Sequence, residues 1–166
     1  MVKFLNIKDI KYLTQNLGRI PRGAIEIPYR CQAGNPVVLK TAPNLPSRHL
    51  FPTLFYLVNP NLITLISQLE SVGLMQDINK RLKENKQLFL SYKHANKIYL
   101  SERNINEALN ISFNSKAMPY RVTCLHVAVA HSLAKGYGVN SIGDEILAKI
   151  ALKPNMSSIL DSEVWL

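Results

Sequence analysis

Both cysteines, two of the four histidines and four arginines fall in two short stretches of this chain. The first runs from Leu17 to Gly34 and holds Arg19, Arg22, Arg30 and Cys31; the second runs from Arg121 to His131 and holds Arg121, Cys124, His126 and His131. Thiol, imidazole and guanidinium are the groups that nucleophilic catalysis, metal binding and anion binding draw on. Each chemistry asks for a different arrangement, so the spacing can be weighed against all three.

Anion binding uses the arginines. Arg19-Ile20-Pro21-Arg22-Gly23 sets two guanidinium groups on a short segment stiffened by Pro21. Together with Arg30 and Arg121 they could grip a phosphate or carboxylate in a bidentate way. The bland alternative is surface charge, or pairing with Glu26, Asp144 or Glu145.

Nucleophilic catalysis would use Cys31, which follows an apolar run, precedes a glycine turn and has Arg30 beside it. Positive charge and turn amides favour a thiolate, and His131 or His126 would supply the base. The sixth residue after Cys31 is Val37, which excludes a phosphatase-like Cys-x5-Arg loop, and the papain-type cysteine context is missing. Metal binding would use Cys31, Cys124 and His131, with help from His49, Asp144 or Glu145. If one unbroken helix opens at Pro119, His126 points about 200° away from Cys124, and His131 lies about 10 Å further along the axis. On that geometry Cys124 and either histidine cannot easily share one zinc, so no metal is favoured. A buried Cys124 packed beside Ala128 is the structural alternative.

The totals narrow the class. Of the residues, 47% are hydrophobic and 19% charged, and the net charge is +9. A chain of this length buries roughly 70% of its unfolded surface without staples. Two cysteines make no disulfide framework, so a reducing cytoplasm is the expected location. The start has no secretory apolar stretch, and no run approaches the roughly 18 apolar residues of a membrane span. Residues 1–50 carry eight Lys/Arg against Asp9 and Glu26. Such a basic region suits an anionic small molecule, an acidic partner or nucleic acid.

The elements that must position these groups follow from periodicity. Helical spacing spans 7–17, ended by Gly18. Residues 24–31 and 37–41 read as strands joined by Gly34-Asn35-Pro36, with Pro28 favouring an edge position. Pro43 and Pro46 mark a loop, and Thr53–Val58 forms a third buried strand. Asn59 and Pro60 then start a helix that reaches Gly73. Further helices span 77–85, 87 to about 109, and 119–135, stopped by Gly136. Ser141 with Asp144 reads as a capping box for a last helix ended by Pro154. Trp165 is expected to dock the tail. The expected fold class is α+β, a small early sheet of about three strands packed with four to six mostly C-terminal helices, in a single domain over 1–166.

Phosphate-binding glycine loops, dinucleotide fingerprints, metalloprotease and serine-hydrolase motifs are all absent. The chain instead resembles a bacterial family catalogued as domain of unknown function five hundred and one. The likeness rests on Leu17-Gly18-Arg19-x-Pro21-Arg22-Gly23, Arg30-Cys31-x-x-Gly34-x-Pro36-Val37-Val38, Phe51-Pro52-Thr53-Leu54-Phe55-Tyr56-Leu57, Leu69-Glu70-x-x-Gly73, Arg121-Val122-x-Cys124-Leu125-His126 with Ala130-His131, and Gly138-Val139-Asn140-x-Ile142-Gly143-Asp144-Glu145. It covers about 15–147, with 153–166 as a tail. The resemblance implies no defined activity or cofactor; the neighbourhood of the family's genes links it to cell division or phosphate metabolism. Many members of that family carry a second cysteine where this chain has Ala33, so a thiolate metal site there would lack a ligand here. The expectation from residues and resemblance together is an anion-binding protein using Arg19, Arg22, Arg30 and Arg121. A Cys31-dependent hydrolase or transferase and a protein- or nucleic-acid-binding module are the alternatives.

Overall fold

The computed structural model describes residues 5–42, 53–104 and 121–165. Helix α1 (Ile7–Leu17) opens on a capping box in which the Asn6 side chain accepts from the Asp9 amide and Asp9 accepts from the Asn6 amide. Gly18 closes it in the left-handed region, φ 67°, a conformation that glycine adopts without a Cβ clash. Strands β1 (Ala24–Arg30), β2 (Pro36–Thr41) and β3 (Phe55–Leu57) form one antiparallel sheet in the order β1-β2-β3. Pro28 therefore sits on an edge strand, where its missing N–H costs no central ladder bond. Along β3 the side chains alternate. Phe55 and Leu57 enter the main core, while Tyr56 packs on the smaller cluster of Leu13, Ile27, Leu39 and Val58 beneath α1.

Helix α2 (Pro60–Ser71) begins as its sequence dictates, with Pro60 in the first turn and the Asn59 side chain accepting from the Leu62 amide. Helices α3 (Leu74–Glu84), α4 (Lys86–Asn104), α5 (Leu125–Lys135), α6 (Ser141–Ala151) and the single turn α7 (Ser162–Trp165) follow. This is the expected α+β arrangement, with the helices mostly C-terminal. Helix α5 lies against the sheet and α6, and Leu125, Val129 and Leu133 are buried. Burying each such side chain contributes about 1.5–3 kcal/mol.

Four local expectations need correction. Helix α5 starts at Leu125 rather than 119, because 121–124 run non-helically into it; Pro119 lies outside the described residues. Helix α3 starts at Leu74 rather than 77, directly after Gly73 in the left-handed region. The cap of α6 is Asn140, not Ser141: its side chain accepts from the Ile142 and Gly143 amides, while Asp144 accepts from the Gly138 amide. That helix ends at Ala151, ahead of Pro154. The expected loop at Pro43 and Pro46, and residues 105–109 of the long helix, lie outside the described residues. Trp165 is buried and meets Tyr137 edge-on, as tail docking requires.

Candidate functional site

Cys124 is the N-cap of α5, in extended backbone geometry at φ −157° and ψ 121°. The helical rotation that would turn His126 away from it does not apply, because only Leu125 and later residues are helical. The extended cap folds the thiol back over the first turn, and Sγ lies 3.8 Å from His126 Nδ1. Glu70, near the end of α2, completes the group. Its Oε1 accepts from the Leu125 amide at 2.9 Å and lies 3.5 Å from the same Nδ1. On the far side of the ring, Nε2 is 3.3 Å from the Ile63 carbonyl oxygen and 3.3 Å from Ser67 Oγ. A carbonyl only accepts, so Nε2 carries a hydrogen, and Nδ1 of the neutral ring faces the thiol as the acceptor.

Charge favours moving the thiol proton onto that nitrogen. Burial pushes the Cys124 thiol up, but the His126 hydrogen bond, the Val127 and His126 amides and the His126 charge together hold it below the ordinary thiol value. Neither amide closes a capping hydrogen bond to the sulfur; both act through the field at the start of the helix. His126 moves the other way. The Cys124 hydrogen bond raises it, burial opposes this, and the charges of Cys124 and Glu70 with the Ile63 carbonyl add to the rise. The two shifts bring thiol and imidazole closer in proton affinity, which eases transfer of the proton from sulfur to Nδ1.

The pair opens on a groove of about 370 Å³ lined by Thr53, Phe55, Tyr56, Leu57, Ile63 and Val127. Its wall is mainly apolar, and the sulfur and imidazole are the reactive groups on it. The Glu70, Cys124 and His126 donor atoms lie within 4.8 Å of one another, close enough that they could also share one divalent ion.

The other candidates are placed elsewhere. Half-buried Cys31 directly follows β1, its amide bonded to the Asn35 carbonyl at 3.0 Å. Among the described residues no hydrogen bond joins it to a histidine, and neither Cys31 nor His131 belongs to the Glu70 group. His131 is buried on α5, stacked on Phe55 and edge-on to Tyr99. Arg30 forks onto Asp9 with contacts of 2.6 and 2.8 Å. Arg19 and Arg22 are exposed after α1, and Arg121 is exposed ahead of α5. Of the proposed metal helpers, Glu145 pairs with Arg81, Asp144 holds the Gly138 amide, and His49 lies outside the described residues. Glu70 was missed because 54 residues of chain separate it from Cys124; only α2–α5 packing joins them. Cys124 was missed as the partner of His126 because the helix was started too early. Val122 and Thr123, β-branched residues just ahead of it, were the available sign of extended backbone.

No curated protein and no solved structure matches the chain. One family model does, described as "Protein of unknown function (DUF501)", over residues 27–148. That span is more than half of the chain and contains Glu70, Cys124 and His126 together with β2, β3 and the second half of β1. The chain therefore belongs to DUF501, a family of proteins of unknown function.

Proposed function

We propose that this protein is a cysteine-dependent acyl-transfer enzyme, a hydrolase or transferase whose nucleophile is Cys124. The observation that carries this reading is the 3.8 Å approach of Sγ to His126 Nδ1 at the mouth of an apolar groove. The thiolate attacks a carbonyl carbon; a C–S bond forms, the bond to the leaving group breaks, and His126 gives its Nδ1 proton to that group. A second nucleophile then attacks the thioester. Its proton passes to His126, the C–S bond breaks and the thiolate returns. Glu70 and the Ile63 carbonyl hold the imidazole in orientation. The uncharged groove wall suits an apolar acyl group.

Arg19, Arg22 and Arg121 remain as exposed cations that would draw an anionic substrate or acidic partner towards the molecule, as the net charge of +9 would. Two free cysteines suit a reducing cytoplasm.

Exposure to p-nitrophenyl butyrate followed by mass spectrometry of the intact protein tests the reading. The expected result is one butyryl adduct that maps to Cys124, disappears in Cys124→Ser and forms more slowly in His126→Ala. An adduct on Cys31 instead, or a stoichiometric metal ion in freshly purified protein, would overturn it.

A further inference from the structure

Cys124 also borders a second, smaller cavity of about 40 Å³, whose wall includes Tyr92, Asn96, Tyr99, His131 and Asn140. That is room for a water molecule or two. His131 is only 1% exposed, and its Nε2 has no hydrogen-bond partner among the described residues. The tautomer follows from its neighbours. Asn140 Oδ1 accepts from the Ile142 and Gly143 amides, so its Nδ2 is the donor, and Nδ2 lies 3.3 Å from His131 Nδ1. Nδ1 must therefore accept, which leaves the hydrogen of the neutral ring on Nε2. Burial, with Lys135 adding to it and Glu102 opposing, keeps the ring neutral by holding its pKa down to about 4.

A buried N–H without an acceptor costs roughly 1–3 kcal/mol, and an oxygen in the adjoining cavity would relieve it. The cavity itself sets the reach: Cys124 and His131 both line it, so a water inside it is bordered by both side chains.

We propose that this chamber is the water side of the Cys124 site: His131 Nε2–H holds the water that attacks an acyl group carried on Cys124, which makes the enzyme a hydrolase. The proposal rests on the thioester reading above and decides its second step. The water oxygen bonds to the thioester carbonyl carbon, the C–S bond breaks, and the water proton goes to neutral His126 Nδ1. A carboxylic acid leaves, and the thiolate–imidazolium pair is restored. His131 gives and takes no proton, since Asn140 occupies its only acceptor; it is a positioning residue.

Burst kinetics with p-nitrophenyl butyrate separate the two steps. Wild type shows a burst of p-nitrophenolate and a slower steady rate. His131→Phe keeps the ring packing and loses the donor. Its burst is unchanged, its steady rate falls at least roughly tenfold, and added hydroxylamine restores turnover. His131→Gln, which offers an N–H, recovers part of the loss. An unchanged steady rate in His131→Phe overturns the proposal, whereas a missing burst in wild type, or a burst retained in Cys124→Ser, overturns the thioester reading beneath it. If the variants do not fold, NMR of the wild type decides. Cross-relaxation between the His131 Nε2 proton and a long-lived water is expected, and its absence overturns the proposal.

Discussion

Cys124 and His126 stand two residues apart, yet Sγ and Nδ1 approach to 3.8 Å because one residue is an extended cap and the other belongs to the first helical turn. Had the helix begun even one turn earlier, the two side chains would diverge by about 200°. The start of α5 is therefore a condition of the chemistry. Glu70 fixes that start from a distance, by accepting the Leu125 amide.

His131 makes the fold sensitive to mild acid. Its folded pKa, about 4, lies below the ordinary 6.5, so the unfolded chain binds the extra proton between these values. The stability from this residue is full above pH 6.5 and falls by about 3 kcal/mol as the pH approaches 4. Urea midpoints across that range should show the fall in wild type and its loss in His131→Phe.

The Asp9–Arg30 fork ties α1 to the end of β1. The Arg30 hydrogen bond holds the Asp9 carboxyl below its ordinary value; burial opposes this, and the Asn6 amide and the Arg30 charge reinforce it. Stability from the pair is present above the unfolded carboxyl pKa and lost as pH falls through the folded one. Arg30→Ala should cost about 2 kcal/mol at neutral pH. Its deficit against wild type should close in strong acid, as read by chemical denaturation at several pH values.

Gly143 is a packing residue. A methyl there would overlap the Ala128 carbonyl and the Ser132 hydroxyl of α5. Alanine in a helix normally gains about 1 kcal/mol over glycine. Gly143→Ala should instead lose roughly 1–3 kcal/mol, a lower melting temperature rather than a higher one.

The parts of the fold legible in the sequence are those set by local chemistry. Gly18 as a helix end, Asn59-Pro60 as a helix start and Pro28 on an edge strand each depend on a backbone preference carried by one or two residues. The start of α5 does not. Apolar spacing continues upstream of Leu125, and the non-helical run at 121–124 is held by distant groups: Asn79 bonds both backbone groups of Val122, and Tyr92 donates to the Arg121 carbonyl. The site was half legible for the same reason. Its residue types stood out, but the partner of His126 depended on that helix start, and Glu70 on helix packing. The Asp9 partner of Arg30, 21 residues away, was equally hidden.

Activation of the Cys124 thiol by His126 is the step on which the proposed chemistry depends. Iodoacetamide labelling followed peptide by peptide, from mildly acidic to alkaline pH, measures this directly. Cys124 should label ahead of Cys31 and at a lower pH than an ordinary thiol. His126→Ala should slow its neutral-pH labelling by about tenfold, the scale of one charge-assisted hydrogen bond. Superimposable profiles for wild type and His126→Ala, or first labelling at Cys31, would contradict the account.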